Sequence, residues 1–329
     1  MKTLYMKAWF RRCCKLLYLC FLLISLIQCS PSPQFSATNG ITPNDKNIPS
    51  SVIISQTTKS LTPEKITPPP TMEATASLLT AQKQTPSPHD EAISCDEKSG
   101  EMQRGSLITN LLRQPLEFRV YLPPCYKQQR TLQYPVLYLI HGQSYSDDQW
   151  DRLGADETAD RLISQGKIPP LIIVMPRDRN WDQPQIDLFG EAVIEILIPY
   201  IDAKYRTLTE RPFRAIGGLS RGAGWALHLG FSHWQYFGAI GAHSLPVFKS
   251  DAAHISTWID SIPFKALPRI YIDIGDKDRP AIFSSAIWFE KILTEKNVPH
   301  EWHLNIGYHD EAYWSSHLEQ YLTWYTQDW

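Results

Sequence analysis

Beyond residue 95, short apolar runs alternate along the chain with segments in which apolar residues recur at helical spacing. Residues 136–140 and 171–174 are continuous apolar runs, typical of central parallel strands buried on both faces, whereas residues 116–122 alternate apolar and polar side chains. Alternation of this length predicts an α/β fold with a mostly parallel sheet covered by helices on both faces. Further strands are predicted at residues 213–217, 237–242, 269–274 and 301–306.

The clearest helical stretch covers residues 189–201, where apolar side chains recur at positions that would form one buried stripe. Pro199 lies inside it and removes one backbone hydrogen bond. We therefore expect a kink or an early turn at Pro199.

Residues 1–29 have the pattern of an export signal peptide. A basic stretch precedes the apolar run 16–27, which is shorter than the ~20 residues that a membrane-spanning helix needs; a signal anchor that borrows its flanks is the alternative. The segment 26–29, Leu-Ile-Gln-Cys, resembles a bacterial lipoprotein box except at Gln28, where a small residue is expected. Lipid attachment at Cys29 and a cysteine of the discarded signal both stay open, and such a lipid anchor is the only membrane attachment that we expect.

Residues 30–92 are predicted to be a disordered linker. They contain ten prolines, many Ser and Thr residues and one aromatic residue, Phe35. Such a segment cannot bury enough apolar surface to offset the entropy lost on ordering. The globular domain is therefore assigned to residues 93–329.

Two cysteines, Cys95 and Cys125, follow Cys29 in the sequence. An isolated pair in an exported domain predicts a disulfide, and closing a loop of about 30 residues stabilises the fold by roughly 3–4 kcal/mol. Two unpaired buried cysteines are the alternative. With the export signal, the pair predicts an extracytoplasmic protein that is secreted or tethered to the outer face of the cell membrane.

The formal net charge of −2 provides no positive field for nucleic acid, which is therefore not an expected partner. The adjacent Asp147 and Asp148 have no clustered acidic or histidine partners in the sequence, so we interpret them as solvated carboxylates and not as metal ligands. No metal or other cofactor is expected. The sequence does not indicate an oligomeric state.

The segment 218–222, Gly-Leu-Ser-Arg-Gly, lies between a predicted strand and a helical run. A serine on so tight a turn projects its hydroxyl, and flanking glycines avoid collisions with the neighbouring backbone. The start of a helix also favours the negative charge that develops during acyl transfer. We predict that Ser220 is a nucleophile; a glycine-rich turn without chemistry is the alternative.

His309 follows the last predicted strand, and a loop histidine at that edge of the sheet can come within hydrogen-bond reach of Ser220. We therefore predict His309 as the base. His303 and His317 fall within a predicted strand and a predicted helix, so we interpret them as structural or exposed.

The acid that orients the base is expected after the strand at 269–274. Asp273 lies within that strand, whereas Asp276 and Asp278 lie beyond it. We favour Asp278, with Asp276 as the alternative.

Another predicted strand ends at His141, Gly142 and Gln143. The loop after it is placed to supply one donor of an oxyanion hole, so the backbone N–H groups of Gln143 and Arg221 are the two candidate donors. His141 is expected to steady this loop and not to transfer protons.

Candidate residues for a substrate pocket are Tyr145, Trp150 and Trp314, which lie in or near the predicted loops around the site. His243 lies at the end of a predicted strand and is a fourth candidate. Core packing is the alternative role for each of them.

These segments, in this order, resemble the esterase family of α/β-hydrolases, which includes feruloyl and acetyl esterases, S-formylglutathione hydrolases, enterochelin esterases and mycolyl transferases. The resemblance covers roughly residues 104–324 and rests on the motif around Ser220, on Gly-x-x-Asp ending at Asp278 and on Gly-x-His ending at His309. It implies the α/β-hydrolase fold, with Ser220 as nucleophile, Asp278 as acid and His309 as base. Residues 143–145 replace a glycine-richer sequence common in relatives, which leaves the shape of the acyl pocket open.

The expected reaction is hydrolysis of a carboxylic ester through an acyl-enzyme. The expected substrates are small-molecule or oligosaccharide esters, such as feruloyl or acetyl groups on carbohydrate, or siderophore esters. An acyl transferase that uses the same triad and a catalytically inactive binding module of the same fold are the alternatives.

Overall fold

The computed structural model describes residues 95–329, in which eight strands form a single sheet. In chain order, they are β1 Glu101–Leu107, β2 Leu116–Leu122, β3 Val136–Ile140, β4 Ile172–Pro176, β5 Arg214–Leu219, β6 Ala239–His243, β7 Arg269–Gly275 and β8 Glu301–Asn305. Across the sheet the order is β1-β2-β4-β3-β5-β6-β7-β8. β2 is antiparallel to both of its neighbours, and all other neighbouring strands are parallel.

Helices connect most of these strands. They are α1 Gln149–Arg152, α2 Ala155–Ser164, α3 Phe189–Ala192, α4 Ile198–Lys204, α5 Arg221–Ser232, α6 Ile255–Ser261, α7 Pro280–Glu295, α8 Glu311–Ser316 and α9 Leu318–Thr326. A π-helical segment, Val193–Leu197, joins α3 to α4, and short 3-10 helices cover Arg211–Phe213, Trp234–Tyr236 and Phe264–Ala266.

The sheet separates two apolar clusters, as β3 illustrates. Val136, Tyr138 and Ile140 pack in one cluster with residues of α5 and α7, whereas Leu137 and Leu139 pack in the other with residues of α2 and α9. Successive side chains of a strand point to opposite faces, so β3 is buried on both sides. This confirms the predicted mostly parallel sheet with helices on both faces.

The predicted strand bounds agree with the structure to within two residues. β1 was not predicted, because it is an edge strand of polar and partly exposed residues without an apolar run. The predicted helix at 189–201 is present, with most of its apolar stripe buried. Its irregularity is the π-helical segment 193–197, which precedes Pro199 in the first turn of α4.

A disulfide joins Cys95 to Cys125, as predicted, and so ties the start of the described chain to the turn after β2. The predicted signal peptide 1–29 with Cys29 and the whole predicted linker 30–92 lie outside the described residues. Within residues 95–329, no helix is both long and apolar enough to span a bilayer.

Candidate active site

Ser220 occupies the sharp turn between β5 and α5, with a backbone φ of 51° and ψ of −124°. The two glycines of its motif are required by close packing. A Cβ atom on Gly218 would lie 2.3 Å from the carbonyl carbon of Gly222, and one on Gly222 would lie 2.1 Å from the carbonyl oxygen of Ile140. The motif therefore lets the helix start directly against β3, with the serine held at the turn.

Ser220, His309 and Asp278 form a continuous hydrogen-bonded chain. The Nε2 atom of His309 lies 2.9 Å from Ser220 Oγ, and its Nδ1 atom lies 2.8 Å from Asp278 Oδ1. The Asp278 side chain is buried, and its Oδ1 also accepts the backbone N–H of Arg279 at 2.6 Å. This arrangement holds the imidazole with one nitrogen on a carboxylate and the other on a hydroxyl.

The other two carboxylates considered for the acid contact different groups. Asp276 is exposed and accepts the backbone N–H of Gly307 at 3.0 Å, which holds the turn that leads to His309. Asp273 is fully buried and points into the core. Of the three, only Asp278 contacts His309 among the side chains described.

Gln143 and Arg221, whose backbone N–H groups are the candidate oxyanion donors, line the same cavity as Ser220, which has a volume of about 640 Å³. Within residues 95–329, neither group has a hydrogen-bond acceptor. Two backbone donors without an acceptor, next to a serine hydroxyl, are the kind of group that can stabilise an oxyanion.

His141 is buried beneath the loop that carries Gln143. Its Nδ1 donates to the carbonyl of Gly142 at 2.7 Å, and its Nε2 accepts the backbone N–H of Asp178 at 3.0 Å. Burial lowers the pKa of His141, so the neutral form that can accept this bond is favoured. The ring therefore joins the loops after β3 and β4.

The side chain of Arg221 points away from the cavity into a buried ion-pair cluster. Its Nε donates to Asp178 at 2.6 Å, and its Nη2 contacts Asp187 at 3.3 Å. Burial raises the pKa of Asp187, as the low-dielectric surroundings disfavour its charged form. Neither aspartate was predicted from the sequence, because both lie more than 30 residues from Arg221 and outside any motif.

A second buried Asp–His pair lies behind the site. Asp273 accepts bonds from His243 Nδ1 at 2.6 Å, from the hydroxyl of Tyr313 at 2.6 Å and from the hydroxyl of Tyr321 at 2.7 Å. The hydroxyl of Tyr325 lies 3.0 Å from His243 Nε2. Hydrogen bonds of this number allow a carboxylate to be buried without solvent.

Two of the four pocket candidates line the cavity and two do not. Tyr145 and Trp314 border it, and the Trp314 ring lies edge-on to that of His309 at 5.0 Å. Trp150 is only 1% exposed and donates to the carbonyl of Ile140, so its predicted place in the pocket is wrong. The same prediction is wrong for His243, whose ring is held in the core by the Asp273 cluster.

Comparison with known proteins decides the family. A family model described as "Putative esterase" matches residues 109–327. The chain belongs to this esterase family. A solved structure titled as a ferulic acid esterase matches 70% of this chain and 99% of its own, with a TM-score of 0.61 and 26% identity. A feruloyl esterase module from Clostridium thermocellum matches 74% of this chain and 93% of its own, with a TM-score of 0.59, and at 18% identity it supports the α/β-hydrolase fold alone.

Two curated esterase relatives match parts of the chain. An endo-1,4-beta-xylanase/feruloyl esterase of Xylanibacter ruminicola is 31% identical over 49% of this chain, and an esterase of Mycobacterium tuberculosis is 29% identical over 54%. These matches span only 23% and 38% of the relatives' own lengths.

Proposed function

We propose that this chain is a serine carboxylic-ester hydrolase in which Ser220 is the nucleophile, His309 the general base and Asp278 the orienting acid. The single observation that carries the proposal is the His309 ring, which reaches the Ser220 hydroxyl at 2.9 Å and the Asp278 carboxylate at 2.8 Å. Membership in the esterase family supports it.

The geometry supports a two-step reaction. His309 accepts the Ser220 proton as Oγ attacks the ester carbonyl, and Asp278 stabilises the imidazolium. The N–H groups of Gln143 and Arg221 then donate to the oxyanion. Collapse of this intermediate releases the alcohol, which takes its proton from His309, and water cleaves the acyl-enzyme in the same way.

The proposed substrates are carbohydrate-linked feruloyl or acetyl esters, with siderophore esters as a further class. The names of the relatives support the feruloyl class. The Cys95–Cys125 disulfide supports an extracytoplasmic location, where the chain is secreted or held at the outer face of the membrane by a lipid on Cys29.

The first prediction tests the triad with three variants, assayed on 4-nitrophenyl acetate and methyl ferulate. Ser220→Ala and Asp278→Asn are expected to lower kcat by about 10⁴-fold or more, since alanine lacks the attacking oxygen and asparagine neither stabilises the imidazolium nor holds the required tautomer of His309. Asp276→Asn is the matched control, two residues from Asp278 and exposed, and is expected to change kcat by less than about threefold.

Wild-type rates in Ser220→Ala would refute the mechanism, and a larger loss in Asp276→Asn than in Asp278→Asn would refute the assignment of the acid. Product analysis with a competing alcohol separates hydrolysis from acyl transfer. Transfer to the alcohol as the main product would show that water is not the proposed acceptor.

A further inference from the structure

The loop after β4, residues 177–188, is held firmly against the turn that carries Ser220. The guanidinium of Arg221 contacts the loop at three points: Asp178 near its start, the carbonyl oxygen of Asp182 in its middle at 2.8 Å, and Asp187 near its end. Asp178 also accepts the indole N–H of Trp225 at 2.8 Å. Buried ion pairs with this many bonds fix the loop relative to the adjacent backbone N–H of Arg221.

This fixed loop presents Trp181 at the mouth of the cavity that contains Ser220. Trp181 is 65% exposed, although tryptophan side chains are highly buried on average. An exposed aromatic ring that lines a cavity and is carried on a rigid loop is free to contact a ligand in that cavity.

Tyr145 is the second exposed ring of the same cavity, and it lies on the loop after Gln143. The buried side chains of Leu219 and Trp314 also line the cavity, which gives it an apolar part suited to an acyl group. The two half-exposed rings at its rim instead suit a ligand with an apolar face and a hydrated edge.

The charges of the cavity lining are balanced. Arg279 and Asp310 border it with one charge of each sign. Glu311 also borders it but is paired with Arg152 at 3.0 Å. The guanidinium of Arg221 is already paired with Asp178 and Asp187. An ionic ligand would find no net opposite charge here. This balance of charge favours a neutral ligand.

We propose that Trp181 is a stacking platform for a neutral sugar ring in the alcohol part of the ester. One face of a sugar ring presents C–H groups, which pack on the indole, and its hydroxyl groups stay in water at the rim. The inference rests on the proposed function, since it assumes that the group leaving Ser220 is a saccharide.

The test compares esters that share an acyl group. Trp181→Ala is expected to lower kcat/KM for a feruloylated arabinoxylan oligosaccharide about tenfold and for methyl ferulate less than twofold. Trp181→Phe, which keeps a flat ring, is expected to retain most of the activity. Ile186→Ala is the matched control, because Ile186 is 71% exposed on the same loop and does not line the cavity, and it should change neither rate.

A binding measurement distinguishes failure of the platform from failure of the hydrolase. In the Ser220→Ala protein, calorimetry with the unesterified oligosaccharide is expected to show about tenfold weaker binding when Trp181→Ala is added. Equal affinity with and without Trp181, or no binding at millimolar oligosaccharide, would overturn the platform whatever the outcome of the hydrolysis assays. Equal losses of kcat/KM on both esters would also overturn it, because the ring would then contact the acyl group.

Discussion

Ser144 has a backbone conformation that favours glycine, with a φ of 70°. It lies in a turn closed by the N–H of Tyr145, which donates to the carbonyl of Gly142 at 3.3 Å. A non-glycine residue in this region costs about 1 kcal/mol or more, and such strain persists only where the surroundings hold it. The strained residue directly follows Gln143, whose N–H is a proposed oxyanion donor.

Replacing Ser144 with glycine should therefore stabilise the fold. Ser144→Gly is expected to raise the free energy of unfolding by about 0.5–1 kcal/mol, because the relief of strain exceeds the added entropy of the unfolded chain. The measurement is urea unfolding followed by tryptophan fluorescence. Ser144→Ala, which keeps the strain, is the control and should stay within a few tenths of a kcal/mol of the wild-type value. A stability gain in the alanine variant equal to that in the glycine variant would contradict the strain argument.

At the scale of single residues, the candidate site residues could be predicted from the sequence more readily than the side chains that pack around them. Ser220 and His309 could be placed because each follows a recognisable strand at the carboxyl edge of the sheet. The choice of Asp278 over Asp276 rests on the contact between Asp278 and His309 in the structure, since both aspartates follow β7 within three residues. The burial of Trp150 could not be predicted, because the position of a residue near a predicted loop does not reveal which way its side chain points.

Among the helices and strands, the short helix α8 has the most direct effect on the position of His309, because His309 lies just before it. Its N-terminus is capped by Asp310, which accepts the backbone N–H of Tyr313 at 2.9 Å. The hydroxyl of Tyr313 donates to Asp273 of β7, the strand that leads to Asp278. The buried carboxylate of Asp273 therefore links α8, which follows His309, to β7, which precedes Asp278.

Two tyrosines that bond the same carboxylate oxygen allow this positioning role to be tested. Tyr313→Phe is expected to lower kcat about tenfold or more with little change in KM, because small displacements of a base cost rate. Tyr321→Phe removes the equivalent bond from α9, which does not carry the base, and should leave kcat within about twofold. The measurement is steady-state hydrolysis of 4-nitrophenyl acetate.

Both variants lose one bond to a charged group and should lose a similar stability, about 1.5–3 kcal/mol. Equal losses of kcat in Tyr313→Phe and Tyr321→Phe would show that Tyr313 has no special role in positioning His309. Thermal unfolding of the two variants supplies the stability comparison.

The central strands and the edge strand β8 were predicted from the sequence pattern, whereas the edge strand β1 was not. β3 and β2 match their predicted bounds, because burial on both faces or strict alternation leaves a clear signal. β1 pairs along its whole length with β2 although most of its residues are polar, since a strand at the sheet edge can leave both faces partly exposed. The π-helical segment has no sequence pattern of its own, because its side chains follow a nearly helical spacing.

For the whole molecule, His141 predicts a dependence of stability on pH. Its pKa is lowered by burial in the folded state, whereas in the unfolded chain it is about 6.5. The unfolded state therefore binds more protons below that value, so stability is fully present above about pH 6.5 and falls as the pH decreases, by up to ~1.4 kcal/mol per pH unit.

Urea unfolding between pH 7.5 and 5 tests this prediction. His141→Gln, which can still donate and accept a hydrogen bond, should show a pH slope smaller by up to one proton than that of the wild-type protein. Identical slopes in the two proteins would mean that His141 does not contribute. Burial also lowers the pKa of His233. Because His233 is present in both proteins, its contribution to the two pH slopes cancels in the comparison.

The disulfide also determines how the domain bears mechanical load. Without the disulfide, a pull on the chain at Cys95 would break the hydrogen-bonded residue pairs between β1 and β2 one after another, because β1 is the edge strand. The covalent bond to Cys125 carries the force past β1 into the turn after β2, a strand with neighbours on both sides. Ser220 lies at the end of β5, four places from β1, so tension applied at Cys95 is borne at the edge of the sheet, away from Ser220. In the reduced protein under tension, β1 is therefore expected to be the first strand to detach from the sheet.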